Sequence, residues 1–203
     1  MLHIKILLTV FSTFSIANSY ADPYQEFSNR KLKNYSSIGQ EKSHGLEINF
    51  DYPESWEGLP GRHPNTLYQI TSKNGLGFES CNLLVKKLPE EIANELDKNL
   101  NFLLEHSTLE SFVPSDRKIL NIGNTKIDGI PTGLIETQSK AENAGISGYV
   151  NSISYFTYYE KKLISFQCMT YAEKKEDSHY QYKKNYRLFN LIANSLIVMN
   201  KWR

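Results

Sequence analysis

LEINFDYPESWEGLPGRHPN, residues 46–65, is the stretch whose reading decides the fold. Leu46, Ile48, Phe50 and Tyr52 alternate with Glu47, Asn49 and Asp51, the period-two pattern of a strand with one buried face. Pro53 has no N–H to give a ladder and ends the strand. Trp56 follows, then a loop shaped by glycine and proline that carries Arg62 and His63 side by side. The chain is polar or cleaved before this stretch, and alternates strands and helices after it.

Upstream, Lys5 supplies a positive start, residues 6–16 are apolar apart from Ser and Thr, and Ser19-Tyr20-Ala21 fits a small-x-small cleavage site. Residues 1–21 therefore read as an export signal, too short for a spanning helix of about 20 apolar residues. Residues 22–44 are polar without a sustained period and are expected to form a loosely packed or mobile arm. Residues 45–203 are expected to form one domain, long enough for a real core.

Downstream, 66–71 reads as a strand, Asn74-Gly75 as a hairpin turn and 77–88 as a long strand. A helix is expected from Pro89, with Glu90 and Glu91 at its positive end. Ile92, Leu96, Leu100, Leu103 and Leu104 lie on one face, and His106 falls in the last turn. Residues 109–116 read as a connector. Strands follow at 118–122 and 132–138 around an Asp128-Gly129 turn, and 143–148 reads as a looser loop. The strand at 149–160 is apolar on both parities, so it should be central and covered on both sides. A Lys161-Lys162 turn leads to a strand at 163–171, and a helix at 177–199 closes the chain. The expected class is α+β, a three-layer α/β/α sandwich around a mostly antiparallel sheet.

The chain balances 23 Lys and Arg against 22 Asp and Glu, and Lys5 belongs to the signal. A neutral protein has no electrostatic footprint for nucleic acid, and no integral membrane segment is expected after cleavage. Cys81 shares the parity of Leu83 and Val85, and Cys168 that of Ile164 and Phe166, so both should face the core. An even cysteine count in an exported chain suggests a Cys81–Cys168 disulfide. Two buried free thiols are the alternative.

Nucleophile-elbow, zincin, P-loop and dinucleotide motifs are all missing. His44, His63, His106 and His179 have no ligand spacing, so neither metal nor cofactor is expected. The one polar-aromatic cluster is Trp56, Arg62, His63, Asn65 and Tyr68, on the loop at 56–68. Aromatic rings with polar tips and an arginine fork make a recognition surface for another protein. The competing reading has Trp56 plugging one end of the core and Arg62-His63 capping a turn. Tyr149, Tyr155, Tyr158 and Tyr159 read as sheet packing.

Phe50-Asp51-Tyr52-Pro53-Glu54-Ser55-Trp56 resembles the strand-ending aromatic-x-Tyr-Pro-x-x-Trp pattern of PsbP-like domains, the extrinsic photosystem II protein family and its bacterial exported relatives. Arg62-x-Pro64-Asn65, Cys81 to Val85 running into Leu88-Pro89, the Ile127-Asp128-Gly129 turn and the closing Phe189-x-x-Ile192-Ala193-Asn194-Ser195-Leu196 resemble later landmarks of that family. The resemblance implies an α/β/α sandwich and a role that is mostly non-enzymatic; it supplies no catalytic residues. The expected function is a non-catalytic, exported protein-binding module, periplasmic or secreted. A narrower version is a periplasmic immunity or inhibitor protein that neutralises a toxin, and another is a secreted effector. The rival class is a small hydrolase in which His63 works with Glu54 or Glu57.

Overall fold

The computed structural model describes residues 22–72, 78–143 and 146–203. The expected signal at 1–21, the Asn74-Gly75 turn and residues 144–145 of the expected 143–148 loop lie outside the described residues.

Seven strands form one antiparallel sheet: β3 (Glu57–Pro60), β4 (Thr66–Thr71), β5 (Phe78–Lys87), β6 (Lys118–Ile127), β7 (Ile130–Asn143), β8 (Ile146–Tyr159) and β9 (Lys162–Ala172). Their spatial order is β3-β4-β5-β9-β8-β7-β6. The expected two-faced strand is β8, which sits between β9 and β7. Ile153 and Tyr155 enter one core, and Tyr158 enters another. Asp128 and Gly129 both have positive φ, 52° and 72°, as a two-residue turn with the right-handed twist of its flanking strands requires. That turn joins β6 to β7 where the sequence placed it.

One face of this sheet is covered by three short helices, α2 (Glu90–Lys98), α3 (Asn101–Leu104) and α4 (His106–Ser111). Tyr158 anchors α2, its hydroxyl proton shared between Asp97 Oδ1 at 2.6 Å and Ala93 O at 3.0 Å. The other face is covered by α5 (Lys175–Asn194), which lies over β8 and β9. Beside α5 lies a second sheet, β1 (Leu32–Ser36), β2 (Ile48–Pro53) and β10 (Ile197–Val198), in the order β1-β2-β10. Phe50 of β2 meets Phe166 of β9 edge to face at 5.3 Å, closing the larger core. The layers are therefore helix, sheet, helix, with the decisive strand in a small sheet of its own.

Cys81 and Cys168 stand opposite each other in the β5–β9 ladder and are joined, with Sγ atoms 2.04 Å apart. Both are buried. The parity argument placed them correctly.

Four expectations are corrected. The arm at 22–44 is not loose: α1 (Pro23–Ser28) packs on α5 and β2, and β1 pairs with β2 over five registered positions. Tyr35 is 4% exposed, and the buried Glu26 carboxylate accepts from Ser55 N at 2.9 Å. The helix expected from Pro89 breaks at Asn99, whose backbone is extended. His106 consequently opens α4 instead of closing a helix, and its Nδ1 lies 3.4 Å from Glu110. The final helix ends at Asn194, five residues early. There the Ser195 hydroxyl accepts from Asp51 N at 2.9 Å and donates to Ile192 O at 2.7 Å, turning the chain into β10. The 56–68 loop is also partly strand, because 57–60 is β3.

Candidate functional site

β3 divides the cluster singled out in the sequence. Glu57 pairs with Thr71 and Pro60 with Tyr68, so β3 and β4 run side by side with Trp56 at one end and Arg62 to Asn65 at the other. β4 is six residues long, which separates the two ends by about 20 Å.

At the second end, residues 61–66 form a tight turn. Gly61 N donates to Leu67 O at 3.0 Å and Thr66 N to His63 O at 3.1 Å. The Lys42 ammonium, from the supposed arm, donates to Gly61 O at 2.8 Å and His63 O at 3.0 Å. Val85 N adds a bond to Asn65 O at 2.9 Å. Lys42 therefore holds this turn, not Arg62 or His63. The side chains of Arg62, His63 and Asn65 are left exposed on a fixed backbone. Leu59, on the neighbouring edge strand, is 45% exposed.

Tyr68 does not join them. Its ring stacks on Tyr35 at 4.2 Å, and its hydroxyl lies 3.3 Å from that of Tyr52. Gly58 makes room for it: a Cβ there would stand 2.1 Å from the Tyr68 hydroxyl oxygen. Burial pushes the Tyr52 and Tyr35 hydroxyls well above the usual phenol range, so these two stay neutral.

Trp56 is 1% exposed, as the core-plug reading expected. Its carbonyl accepts from Lys33 Nζ at 2.9 Å, but its indole N–H is sealed from solvent with no hydrogen-bond partner among the described residues. It lines a recess of about 510 Å³ between α1, α5 and the far end of the β4–β5 pair. Ser72 and Glu79 lie on the sheet side, Lys184 and Arg187 on α5, and Tyr24 and Tyr180 are also in the lining. Glu79 is 4% exposed and accepts from the Ser72 hydroxyl. Burial raises its carboxyl above the ordinary value, against the Ser72 hydrogen bond and the nearby Lys184 charge. Neither Lys184 nor Arg187 makes an ion pair with another described residue.

Sequence reasoning missed this recess. A signal was present, because Glu79 shares the core-facing parity of Cys81 and Leu83, an unusual place for an acid. Lys184 and Arg187 gave none, since cations three apart on a helix normally mark a solvated face.

His63 and Glu57 stand toward opposite ends of β3, so the acid-base pair of the hydrolase reading is not brought together through Glu57. Among the described residues no group of three His, Cys, Asp or Glu is placed to hold a metal ion, and no helix is long and apolar enough to cross a membrane.

No family model matches the chain, and no curated protein matches it. Among solved structures, it is similar to cyanobacterial PsbP (CyanoP) from Synechocystis sp. PCC 6803 at a TM-score of 0.47 and 17% identity, over 83% of this chain and 92% of that one. It is also similar to LpqN, involved in cell envelope biogenesis of Mycobacterium tuberculosis, at a TM-score of 0.45 and 9% identity, over 85% of this chain and 94% of that one. These are similarities of fold.

Proposed function

We propose that this chain is a non-catalytic binding module that works outside the cytoplasm and docks another protein through the 61–65 turn and the adjoining edge strand β3. The observation that carries this reading is the Lys42 clamp on Gly61 O and His63 O, which fixes the backbone and leaves Arg62, His63 and Asn65 facing solvent. A pre-ordered backbone cuts the entropy lost on association. The Arg62 fork and the neighbouring imidazole suit a carboxylate-bearing surface on the partner. The cross-strand Cys81–Cys168 bridge supports the compartment, since such bonds persist where the surroundings are oxidising.

Cross-linking in the producing cell tests the site. Arg62→Ala, His63→Ala and Asn65→Ala together should abolish the cross-linked partner and leave the unfolding midpoint unchanged, whereas Lys126→Ala on β6 should keep both. A partner retained by the triple variant would remove this turn from the binding surface.

A further inference from the structure

The recess at the other end of β4 makes two chemical demands that the described residues do not meet. Glu79 is buried with a hydroxyl donor, Ser72, and no cation in ion-pair contact. Lys184 and Arg187 line the same space from one side of α5 and have no carboxylate in ion-pair contact among the described residues.

A cation for Glu79 and an anion for Lys184 and Arg187 are complementary to one bipolar molecule. In a dipeptide the α-ammonium and the terminal carboxylate stand at the two ends of one short backbone. The volume of about 510 Å³ falls within the roughly 300–1,000 Å³ common for small-molecule sites. Tyr24 and Tyr180 offer ring faces for a side chain. We propose that the recess is a binding site for a dipeptide-sized zwitterion. Its ammonium lies against Glu79, and its carboxylate lies against Lys184 and Arg187.

This inference does not rest on the turn at 61–65, which lies at the opposite end of β4. Phe78, next to Glu79, is 43% exposed, so the strand end itself reaches solvent.

Fluorescence titration tests it. The chain has two tryptophans, and Trp202 is 65% exposed, so a Trp202→Phe background leaves Trp56 as the reporter. Alanyl-phenylalanine should then give saturable one-to-one binding, confirmed by calorimetry. Glu79→Gln should weaken binding tenfold or more, about 1.4 kcal/mol, and so should Lys184→Ala with Arg187→Ala. N-acetyl-alanyl-phenylalanine should bind weakly and be indifferent to Glu79→Gln. The C-terminal amide should bind weakly and be indifferent to the double lysine-arginine change. Absence of saturation at millimolar dipeptide in folded protein would overturn the proposal, as would binding that ignores every variant. An amide that binds as tightly as the free dipeptide would also overturn it, by showing the occupant to be the N-terminus of a longer chain.

Discussion

The two ends of β4 use the same strand for opposite purposes. At the 61–65 end, backbone groups are met internally, by Lys42 Nζ, Leu67 O and Val85 N, and the side chains are left over. At the Ser72 end side chains line a recess and charged groups are left over, Glu79 on the sheet side and Lys184 and Arg187 on α5. The first arrangement presents a shape. The second presents a deficit that a ligand can fill. A site that holds nearby residues on one rigid turn can be read from sequence, whereas one built from β5, α1 and α5 forms only when distant segments meet.

Trp56→Ala should separate the two ends most strongly. The indole is fully buried, and its truncation should cost about 3–5 kcal/mol in urea unfolding. Arg62→Ala, only six residues on, should stay within about 0.5 kcal/mol because the side chain is exposed. Equal effects from the two changes would refute the division of this stretch into a core end and a presented end.

Between them runs the β5–β9 ladder, with its bridge two residues from Glu79. The bridge closes 87 residues of chain, and Cys81→Ala with Cys168→Ala should remove about 2–5 kcal/mol of stability. Hydrogen exchange should then rise more in β5 and β9 than at Thr66 N, whose acceptor His63 O is also held by Lys42. A uniform rise would show the two ends to be one cooperative unit.

Much of this frame was legible in the sequence, and the reasons are local. β4 falls on the expected 66–71, β8 announces its central position by apolar residues on both parities, and the cysteine parities put both thiols in the core, where the bridge suggested by their even count is found. β1 was not legible because only Tyr35 of its five residues is buried, so no alternation is written into it; β2 supplies its order. The break at Asn99 was missed because the leucine spacing continues through it, although the backbone does not. That the five residues singled out at 56–68 fall in three places, the Trp56 end, the 61–65 turn and the Tyr35–Tyr68 stack, was not legible, since a four-residue edge strand leaves little pattern. Glu79 was readable on its parity; its partners across the recess were not.

A smaller effect is expected from Lys42→Met. The change removes a charge-assisted donor to two carbonyls at a partly exposed turn and should cost about 1 kcal/mol. The useful readout is local: amide exchange at Thr66 should accelerate while exchange in β9 holds. If Lys42→Met leaves Thr66 as protected as before, the turn is ordered by its backbone bonds to Leu67 and Val85 without Lys42, and the clamp argument fails.

The least energetic test concerns Glu79 and is decided by sign. Its carboxyl is raised in the folded chain, chiefly by burial, above the ordinary value of 4.5. Between 4.5 and that raised value the folded state holds a proton that the unfolded state has released. Stability should therefore fall as pH rises through this window, instead of climbing as it does for a paired carboxylate. Above the window the cost of an ionised Glu79 is constant, softened by the Ser72 hydroxyl and the Lys184 charge. Glu79→Gln keeps the shape and has no proton to lose, so its urea midpoints across mildly acidic to neutral pH should lack this decline and exceed the parent at neutral pH. Lys184→Ala should steepen the parent's decline by removing the charge that opposes it. A parent whose midpoint rises through the same window relative to Glu79→Gln would mean that Glu79 is already paired, and the recess would then have no demand for a cation.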